Sequence, residues 1–162
     1  SVLRRANPRC PMSAGDVGMS DGFNLQRFVE AQDRVYQSVL EELRGGHKRG
    51  HWMWYIFPQL LGLGGSAMSQ EYAISSQDEA KAYWEHSILG ARLRECTQLV
   101  LAVDARTAEQ IFSYPDNLKF RSCMTLFEHS VPEPGIFRAA LLRYCGGKPD
   151  HLTLDILNSK SV

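Results

Sequence analysis

Apolar residues recur at steps of three and four along most of this chain, and this periodicity constrains the fold more than any other feature. Such spacing places side chains on one face of an α-helix, whereas a half-buried strand alternates with a period of two. That alternation never persists for more than a few residues, and no Asn-Gly or Asp-Gly turn separates two apolar runs. The pattern predicts an all-α, compact single domain of about six or seven mostly short helices, with an aromatic-rich irregular segment.

Helix-capping signals divide the chain into these helices. Ser, Thr and Asp side chains accept hydrogen bonds from the first free N–H groups of a helix, and Gly often follows its last residue. The predicted boundaries, in chain order, are Asn24 and Gly45–Gly46 for the first helix, capping boxes at 76–79 and 107–110 for two others, a helix over 89–103, N-caps at Asp116 and Asp150, and Pro134 with Gly146–Gly147 for the helix between them.

One domain accounts for the length and composition. The 162 residues are 44% hydrophobic and 22% charged, which is typical of a globular protein. Residues 1–20 are rich in Arg, Pro, Gly and Ser, so we predict a flexible tail there. A single all-helical domain over residues 21–158 is expected to follow it.

Charge and hydropathy exclude several classes of protein. The 18 basic and 18 acidic residues balance, which argues against a nucleic-acid partner held by bulk electrostatics. The longest apolar run, Trp52–Phe57, is far shorter than the roughly 20 residues of a membrane-spanning helix, so no membrane association is expected. Residues 1–22 lack the apolar segment of a secretory signal. The expected location is cytoplasmic, with organellar targeting by residues 1–20 as the alternative.

The sequence contains no familiar cofactor or metal motif. Its four cysteines are widely spaced, and three lie among apolar neighbours, where reduced and buried thiols are expected. The five histidines are far apart, and the chain has no phosphate loop, HExxH or GxSxG motif. We therefore expect no cofactor and no metal. The glycine cluster over residues 62–65 could offer backbone N–H groups to an anion.

The segment HWMWYIFPQ, residues 51–59, is the most unusual in the chain, and we call it the strap. Its six consecutive large apolar side chains cannot all face one direction in either a helix or an extended segment. Two interpretations fit: the strap packs against both sides of the core, or its rings line a pocket where a flat ligand stacks. In the second, His51 and Gln59 supply hydrogen bonds, and the basic residues 47–49 hold an anionic group instead of forming a solvated loop.

A second segment, the predicted helix over residues 116–127, combines cationic, hydroxyl and aromatic side chains. Lys119, Ser122 and Thr125 are spaced by three, so they lie on adjoining parts of one side of the helix. This arrangement either binds phosphate or consists of an exposed cation beside hydroxyls that bond to the helix backbone.

The third segment, residues 68–76, leads into a capped helix whose N-terminus is suited to an anion. Within it, Glu71 is the first carboxylate that follows the strap in sequence. Gln32 lies outside these segments and is the one polar residue in the apolar stripe of the first helix. Gln32 is either a satisfied core amide or a ligand contact.

These segments resemble the domain of unknown function 1810 family. The resemblance runs from about Asp21 to Leu157, and its most specific parts are HWMWYIFPQ at 51–59 and LKFRSCMTLF at 118–127. The family sometimes carries the label calpastatin, yet nothing here resembles calpain-inhibitor repeats. The resemblance implies a compact, single-domain, all-helical fold and brings no established activity.

The resemblance also directs attention to particular residues, because packing alone does not require His, Gln, Lys, Arg and Ser beside aromatic rings. We predict a small-molecule pocket for a nucleotide- or ADP-ribose-like ligand, whose N-glycosidic bond would be hydrolysed if the chain is an enzyme. A carboxylate would assist water, and His51 or Lys119 would act as acid or stabilise charge. The residues assigned to catalysis are His51, Glu71, Asp116 and Lys119, and those assigned to ligand binding are Gln32, Trp52, Trp54, Phe57, Gln59, Tyr72, Ser75, Arg121 and Ser122.

The alternative function belongs to a different class. In it, the aromatic residues 51–57 form an exposed patch that recruits a protein partner, and the chain is a non-enzymatic interaction module. The two functions differ in whether the rings of the strap are exposed or shielded.

Overall fold

Ten α-helices make up most of residues 21–160, the part of the chain that the computed structural model describes. A short 3-10 turn over Asp21–Phe23 precedes them. The predicted tail over residues 1–20 lies outside the described residues. The helices are α1 Gln26–Asp33, α2 Tyr36–Arg44, α3 Met53–Ile56, α4 Ala67–Glu71, α5 Gln77–Glu85, α6 Leu89–Leu101, α7 Ala108–Phe112, α8 Asp116–Glu128, α9 Gly135–Cys145 and α10 His151–Lys160.

The all-α prediction is confirmed, but the predicted number of helices, six or seven, is too small. The predicted first helix is two helices, because the chain leaves helical geometry at Val35, where φ is −130° and ψ is −3°. Apolar residues keep their spacing of three and four across this break, so periodicity alone does not reveal it. The other additional helices are α3 and α4, which have four and five residues and lie in the segment predicted to be irregular.

Most of the predicted caps are present. The Thr107 hydroxyl accepts a hydrogen bond from the Gln110 N–H, and the Gln110 side chain accepts one from the Thr107 N–H, which completes the capping box of α7. Asp150 accepts from the Thr153 N–H at the start of α10. Gly146 ends α9 in the left-handed region, with φ of +62°.

Asp116 departs from its predicted role as an N-cap. It is the first residue of α8, Pro115 occupies the cap position, and no side chain caps this end of the helix. Its carboxylate instead lies 2.8 Å from the ammonium of Lys48, 68 positions earlier in the chain. A charged partner elsewhere in the fold has replaced the local backbone hydrogen bond that the sequence suggested.

One continuous cluster of buried apolar side chains extends from Leu25 to Leu157. Helix α8 lies at its centre, in contact with α5, α7, α9 and α10, and seven of its residues are buried. Phe57 of the strap packs edge-on against Phe112 and Phe120, whose rings stack on each other at 4.8 Å. Strap and α8 therefore share one aromatic core.

A pair of backbone hydrogen bonds closes the loop that contains α4. The Leu61 N–H donates to the Ile74 carbonyl, and the Ile74 N–H donates to the Gln59 carbonyl, forming an isolated parallel bridge between Leu60 and Ile74. Among residues 21–160 no longer strand is present. The bridge fixes the end of the strap against the residues that precede α5.

The cysteines fit the predicted reduced state. Cys96 and Cys123 are buried, Cys145 is partly buried, and all three are free thiols, while Cys10 lies outside the described residues. Burial raises the pKa of Cys96 to about 12 and that of Cys123 well above its ordinary value, so both remain protonated near neutral pH. Within residues 21–160, every helix is too short or too polar to cross a bilayer.

Candidate ligand site

The strap is mostly buried, as expected if it packs on both sides of the core. Trp52 and Phe57 are each 1% exposed, and Met53, Tyr55 and Ile56 are buried as well. Among the six large apolar side chains of the strap, Trp54 is the half-buried exception. The strap therefore does not form the exposed aromatic patch that the alternative function requires.

Glu42 of α2 anchors the basic loop and the start of the strap. One of its carboxylate oxygens accepts from the backbone N–H of Arg49 at 2.8 Å, from that of Gly50 at 2.9 Å, and from the Trp52 indole at 2.9 Å. Burial acts to raise the pKa of Glu42, but these donors outweigh it and hold the pKa below its ordinary value. The indole nitrogen of Trp52 is thus bound within the protein and is unavailable to a ligand.

Gln32 is a satisfied core amide, the first of its two interpretations. Its side chain is completely buried, and Nε2 donates to the Tyr55 carbonyl at 2.7 Å and to the Tyr83 hydroxyl at 3.0 Å. Its Oε1 accepts from Arg92 at 3.3 Å. Gln32 therefore connects α1, the strap, α5 and α6, and it does not reach an open surface.

Trp54 lies at the edge of a narrow space that we call the slot. The free volume of the slot is only about 10 Å³, which is enough for about one water molecule. Lys119 closes one side, with its ammonium 5.6 Å from the centre of the Trp54 ring. The lining residues are Met53, Trp54, Phe57, Gln59, Ser69, Tyr72 and Lys119.

A wider, half-open space, which we call the groove, adjoins the slot. The free volume of the groove is about 260 Å³, and its surface is mostly apolar. Gln59 and Lys119 line both spaces, so the slot and the groove meet at these two side chains. The groove residues are Gln59, Leu63, Gly64, Pro115, Leu118, Lys119, Ser122, Asp150 and Leu152.

Two lysines share one carboxylate beside this junction. Asp116 lies 2.8 Å from the Lys48 ammonium and 3.7 Å from that of Lys119. Lys48 is only 7% exposed and also donates to the Gly50 carbonyl, whereas Lys119 is 27% exposed. The three groups carry a net positive charge, and the cation with hydrogen-bonding capacity left over is Lys119.

The groove also contains one carboxylate, that of Asp150. It accepts from both the N–H and the hydroxyl of Thr153, at 3.0 and 2.6 Å, and these bonds fix its orientation. The Asp150 N–H donates to the Thr125 hydroxyl of α8. The same wall holds Ser122, whose hydroxyl donates to the Leu118 carbonyl.

Glu71 and Ser75 belong to a different network, centred on Arg27 of α1. The Arg27 guanidinium donates to the backbone carbonyls of Glu71 and Ala73 and forms an ion pair with the buried Glu79 at 3.0 Å. Glu79 in turn accepts from both the N–H and the hydroxyl of Ser75. These contacts hold the segment after α4 in place, and neither Glu71 nor Ser75 lines the slot or the groove.

The structure thus brings together part of the predicted site. Trp54, Phe57, Gln59, Tyr72 and Lys119 line the slot, and Gln59, Lys119 and Ser122 line the groove. The predicted residues that line neither space are Gln32, His51, Trp52, Glu71, Ser75, Asp116 and Arg121. His51 is exposed, and Arg121 lies at a separate cavity on another side of α8.

Sequence reasoning missed several residues of the site. Met53 belongs to the strap but was read only as an apolar residue, and Ser69 lies on the one-turn helix α4. Asp150 was identified as a helix cap, a role that gives no hint of the groove beside it. Leu63 and Gly64 are the groove residues for which the sequence did contain a signal, because they belong to the glycine cluster over residues 62–65.

Within the described residues, no three His, Cys, Asp or Glu side chains are grouped so as to hold a metal ion. The polar groups around the slot and groove are an ammonium, an amide, hydroxyls and one carboxylate. This set is suited to hydrogen bonding with an organic anion.

Comparison with known proteins places this arrangement in a family. Residues 22–157 match the family model described as "Protein of unknown function (DUF1810)". The crystal structure of the conserved hypothetical protein Rv1873 from Mycobacterium tuberculosis is similar, with a TM-score of 0.85 and 53% sequence identity, over 85% of this chain and 99% of that one. No curated protein matches the sequence. A match over most of the chain and a close structural relative show that this protein belongs to the DUF1810 family.

Proposed function

We propose that the slot and the groove together bind a small anionic ligand that carries a flat ring, such as a nucleotide or an ADP-ribose-like molecule. The observation that carries the proposal is the position of Lys119. Its ammonium lies against the Trp54 ring at the junction of the two spaces, and its only acidic partner among the described residues is shared with Lys48. A phosphate group would complete the charge balance of this cluster.

The dimensions of the two spaces support one arrangement of the proposed ligand. The slot holds about one water molecule and is too small for a ring, whereas the groove has room for a ring and a sugar. The ring is therefore placed in the groove, against the apolar side chains of Leu63, Leu118 and Leu152. Lys119 and Gln59 meet the anionic group where the groove joins the slot.

A thermal-shift titration with AMP, ADP, NAD and ADP-ribose tests binding. A ligand present at 100 times its dissociation constant stabilises the folded state by about 2.7 kcal/mol, which raises the melting temperature by roughly 5–10 °C in a domain of this size. Lys119→Met keeps the apolar part of the side chain over Trp54 and removes the charge. We expect it to weaken binding at least tenfold.

The matched control is Lys81→Met, which removes an exposed lysine from α5, a helix that lines neither space. It should bind each ligand like the unmodified protein. His51→Ala should also bind normally, because His51 is exposed and lies outside both linings. A flat titration, or equal loss in Lys119→Met and Lys81→Met, would refute the proposed site.

The proposal extends to hydrolysis of the ligand's N-glycosidic bond. Asp150, the carboxylate of the groove, takes the role that the sequence suggested for Glu71 or Asp116. It removes a proton from a water molecule that attacks the sugar carbon, the bond from that carbon to the ring nitrogen breaks, and the nitrogen takes a proton from solvent so that the ring leaves as free base, while Lys119 holds the anionic group. Hydrogen bonds from Thr153 orient the Asp150 carboxylate.

Asp150→Asn separates catalysis from binding. Asparagine caps a helix about as well as aspartate, so α10 should keep its N-cap, yet an amide cannot act as a base. We expect unchanged ligand affinity and a loss of at least a hundredfold in release of free base, measured by chromatography. Equal turnover in Asp150→Asn and the unmodified protein would remove Asp150 from the mechanism while leaving the binding proposal intact.

A further inference from the structure

A third space lies where α7, α8 and α9 meet, and it shares only Leu118 with the groove. Its free volume is about 120 Å³, which is between those of the slot and the groove. We call it the α8 cavity, and its lining consists of Ala108, Asn117, Leu118, Arg121, Tyr144 and Cys145. Arg121, which the sequence assigned to ligand binding, thus belongs to a space that the proposed function does not use.

Arg121 supplies the α8 cavity with a cation that is held in position and whose hydrogen bonds are incomplete. Its Nε donates to the Lys148 carbonyl at 2.9 Å, while its two terminal nitrogens form no hydrogen bond or ion pair within the described residues. Burial raises the pKa of the Cys145 thiol, and the positive charge of Arg121 acts against that rise, so the guanidinium lies near Cys145. A guanidinium with both terminal nitrogens available is suited to two parallel hydrogen bonds with one oxyanion.

Asn117 supplies a second donor on the same face of α8. It lies four residues before Arg121, so the two side chains leave the helix about 5–6 Å apart. Its Oδ1 is buried, so the accessible end of the amide is the Nδ2 group, which makes no hydrogen bond with any residue from 21 to 160. Both side chains therefore offer donors to the cavity, and no carboxylate among the described residues lines it.

The rest of the lining is suited to the apolar part of a ligand. Ala108 and Leu118 are apolar, and the Tyr144 hydroxyl already donates to two backbone carbonyls. Among the described residues that line the cavity, Arg121 is the only cation, so its charge matches the single negative charge of a carboxylate. A phosphate group carries close to two negative charges near neutral pH and has no apolar part to pack against these walls. A carboxylate with a short hydrocarbon chain therefore fits the cavity better than inorganic phosphate does.

We propose that the α8 cavity is a second binding site, independent of the slot and the groove, for a small organic carboxylate with a short apolar chain. The two carboxylate oxygens accept hydrogen bonds from the terminal nitrogens of Arg121, and one of them also accepts from the Asn117 Nδ2 group. The chain packs against Ala108 and Leu118. Nothing in this site depends on whether a nucleotide binds at Lys119.

Four probes test the proposal on the full chain, each followed by amide NMR: sodium butyrate, butyramide, sodium acetate and inorganic phosphate. Butyrate should give saturable, millimolar shifts at Asn117, Arg121 and Cys145. Butyramide has nearly the same shape but no charge, and it should bind at least tenfold more weakly because it forms no charge-assisted hydrogen bonds with Arg121. Acetate lacks two methylene groups of the chain and should bind several-fold more weakly than butyrate. Phosphate should bind more weakly than butyrate.

Asn117→Asp tests the assignment with little risk to the fold, because carboxylates are favoured in the first turn of a helix. Its new carboxylate repels the bound one and pairs with Arg121 one turn later in α8. Butyrate binding should therefore weaken at least tenfold.

Arg121→Gln removes the cation and should abolish the shifts, and a melting curve shows whether this variant remains folded. The matched control is Arg138→Gln on α9. Arg138 is exposed, its Nε also makes a single hydrogen bond, and it lines none of the three spaces. The control should bind butyrate like the unmodified protein.

The proposal fails if butyrate gives no saturable shift at these residues, or if butyramide binds as tightly as butyrate. Tighter binding of phosphate than of butyrate would also overturn the assignment of a carboxylate. Unchanged butyrate affinity in Asn117→Asp, or an equal loss in Arg121→Gln and Arg138→Gln, would refute the site. A flat nucleotide titration with saturable butyrate binding would refute the proposed function and leave this inference standing.

Discussion

Two glutamines, Gln32 packed against the strap and Gln59 at the end of the strap, have opposite surroundings. Gln32 is completely buried, and both ends of its amide are hydrogen-bonded to groups from three other elements. The Gln59 side chain lines the slot and the groove, and it makes no hydrogen bond with any other residue from 21 to 160. The same chemical group is structural in Gln32 and available to a ligand in Gln59.

The charged residues repeat this contrast. Glu42 receives three donors on one oxygen, so its bonding capacity serves the protein. Lys119 has one partner, at 3.7 Å, and shares it with Lys48. Gln32 and Glu42, whose hydrogen bonds are complete, hold the strap in place, whereas Gln59 and Lys119, whose hydrogen bonds are incomplete, lie where the groove meets the slot.

The largest effect is expected from replacing each glutamine by leucine, which has a similar volume. Gln32→Leu would remove the hydrogen bonds from Gln32 to the Tyr55 carbonyl and the Tyr83 hydroxyl and one of the bonds that Arg92 donates, and should reduce the free energy of unfolding by about 3 kcal/mol. Gln59→Leu should change it by less than about 0.5 kcal/mol. Urea denaturation of both variants measures the difference, and equal losses would contradict the division between the two sides.

A smaller effect is expected at the carboxylate that anchors the strap. Glu42→Gln weakens three charge-assisted hydrogen bonds and should cost about 2 kcal/mol near neutral pH. Glu41→Gln, at an exposed neighbouring position, should cost less than about 0.5 kcal/mol.

The pH dependence of the Glu42 effect has a definite sign. The folded-state pKa of Glu42 is lower than its ordinary value of 4.5, so the ionised form is favoured by folding. Its contribution is complete above pH 4.5 and is lost as the pH falls through the folded-state pKa. The stability difference between the unmodified protein and Glu42→Gln should therefore shrink below pH 4.5, and a difference that grows on acidification would contradict the assignment.

The smallest effect concerns backbone strain just before α8. Ser113, three residues before α8, has φ of 69° and ψ of 158°, a region that is favourable essentially only for glycine. Ser113→Gly relieves that strain but makes the unfolded chain more flexible, so we expect a net gain of about 1 kcal/mol. Ser38→Gly, inside α2, should instead lose about 1 kcal/mol. Thermal melts of the two variants should move in opposite directions.

The sequence predicted those features that depend on neighbouring residues. The capping box of Thr107 and Gln110 is an example, because both of its hydrogen bonds join residues three apart. The break at Val35 was not predictable, since the apolar spacing continues through it. The sequence could not predict which of the two glutamines is buried, because the Tyr83 partner of Gln32 lies 51 residues away.

The candidate site shows the same division. The strap and the α8 segment were identified from their composition, and Trp54, Gln59 and Lys119 do lie together. The pairing of Lys48 with Asp116 spans 68 residues, and it changes Asp116 from an assigned catalytic group into a partner for two lysines. The Arg27 network similarly occupies Ser75 through Glu79, and neither pairing leaves a trace in local spacing.

The bridge between Leu60 and Ile74 has a consequence for how the slot opens. The loop over residues 61–73, much of which is exposed, carries Ser69 and Tyr72 on one wall of the slot. It is held by the two backbone hydrogen bonds of the bridge and by the bonds from Arg27 to the Glu71 and Ala73 carbonyls. Breaking this small set of bonds would release that wall without disturbing α6 or α8, so we expect the loop to form its own unit of local unfolding. Its amide hydrogens should exchange with solvent deuterium much faster than those of the buried helices, and ligand entry to the slot would then be set by the opening rate of this loop.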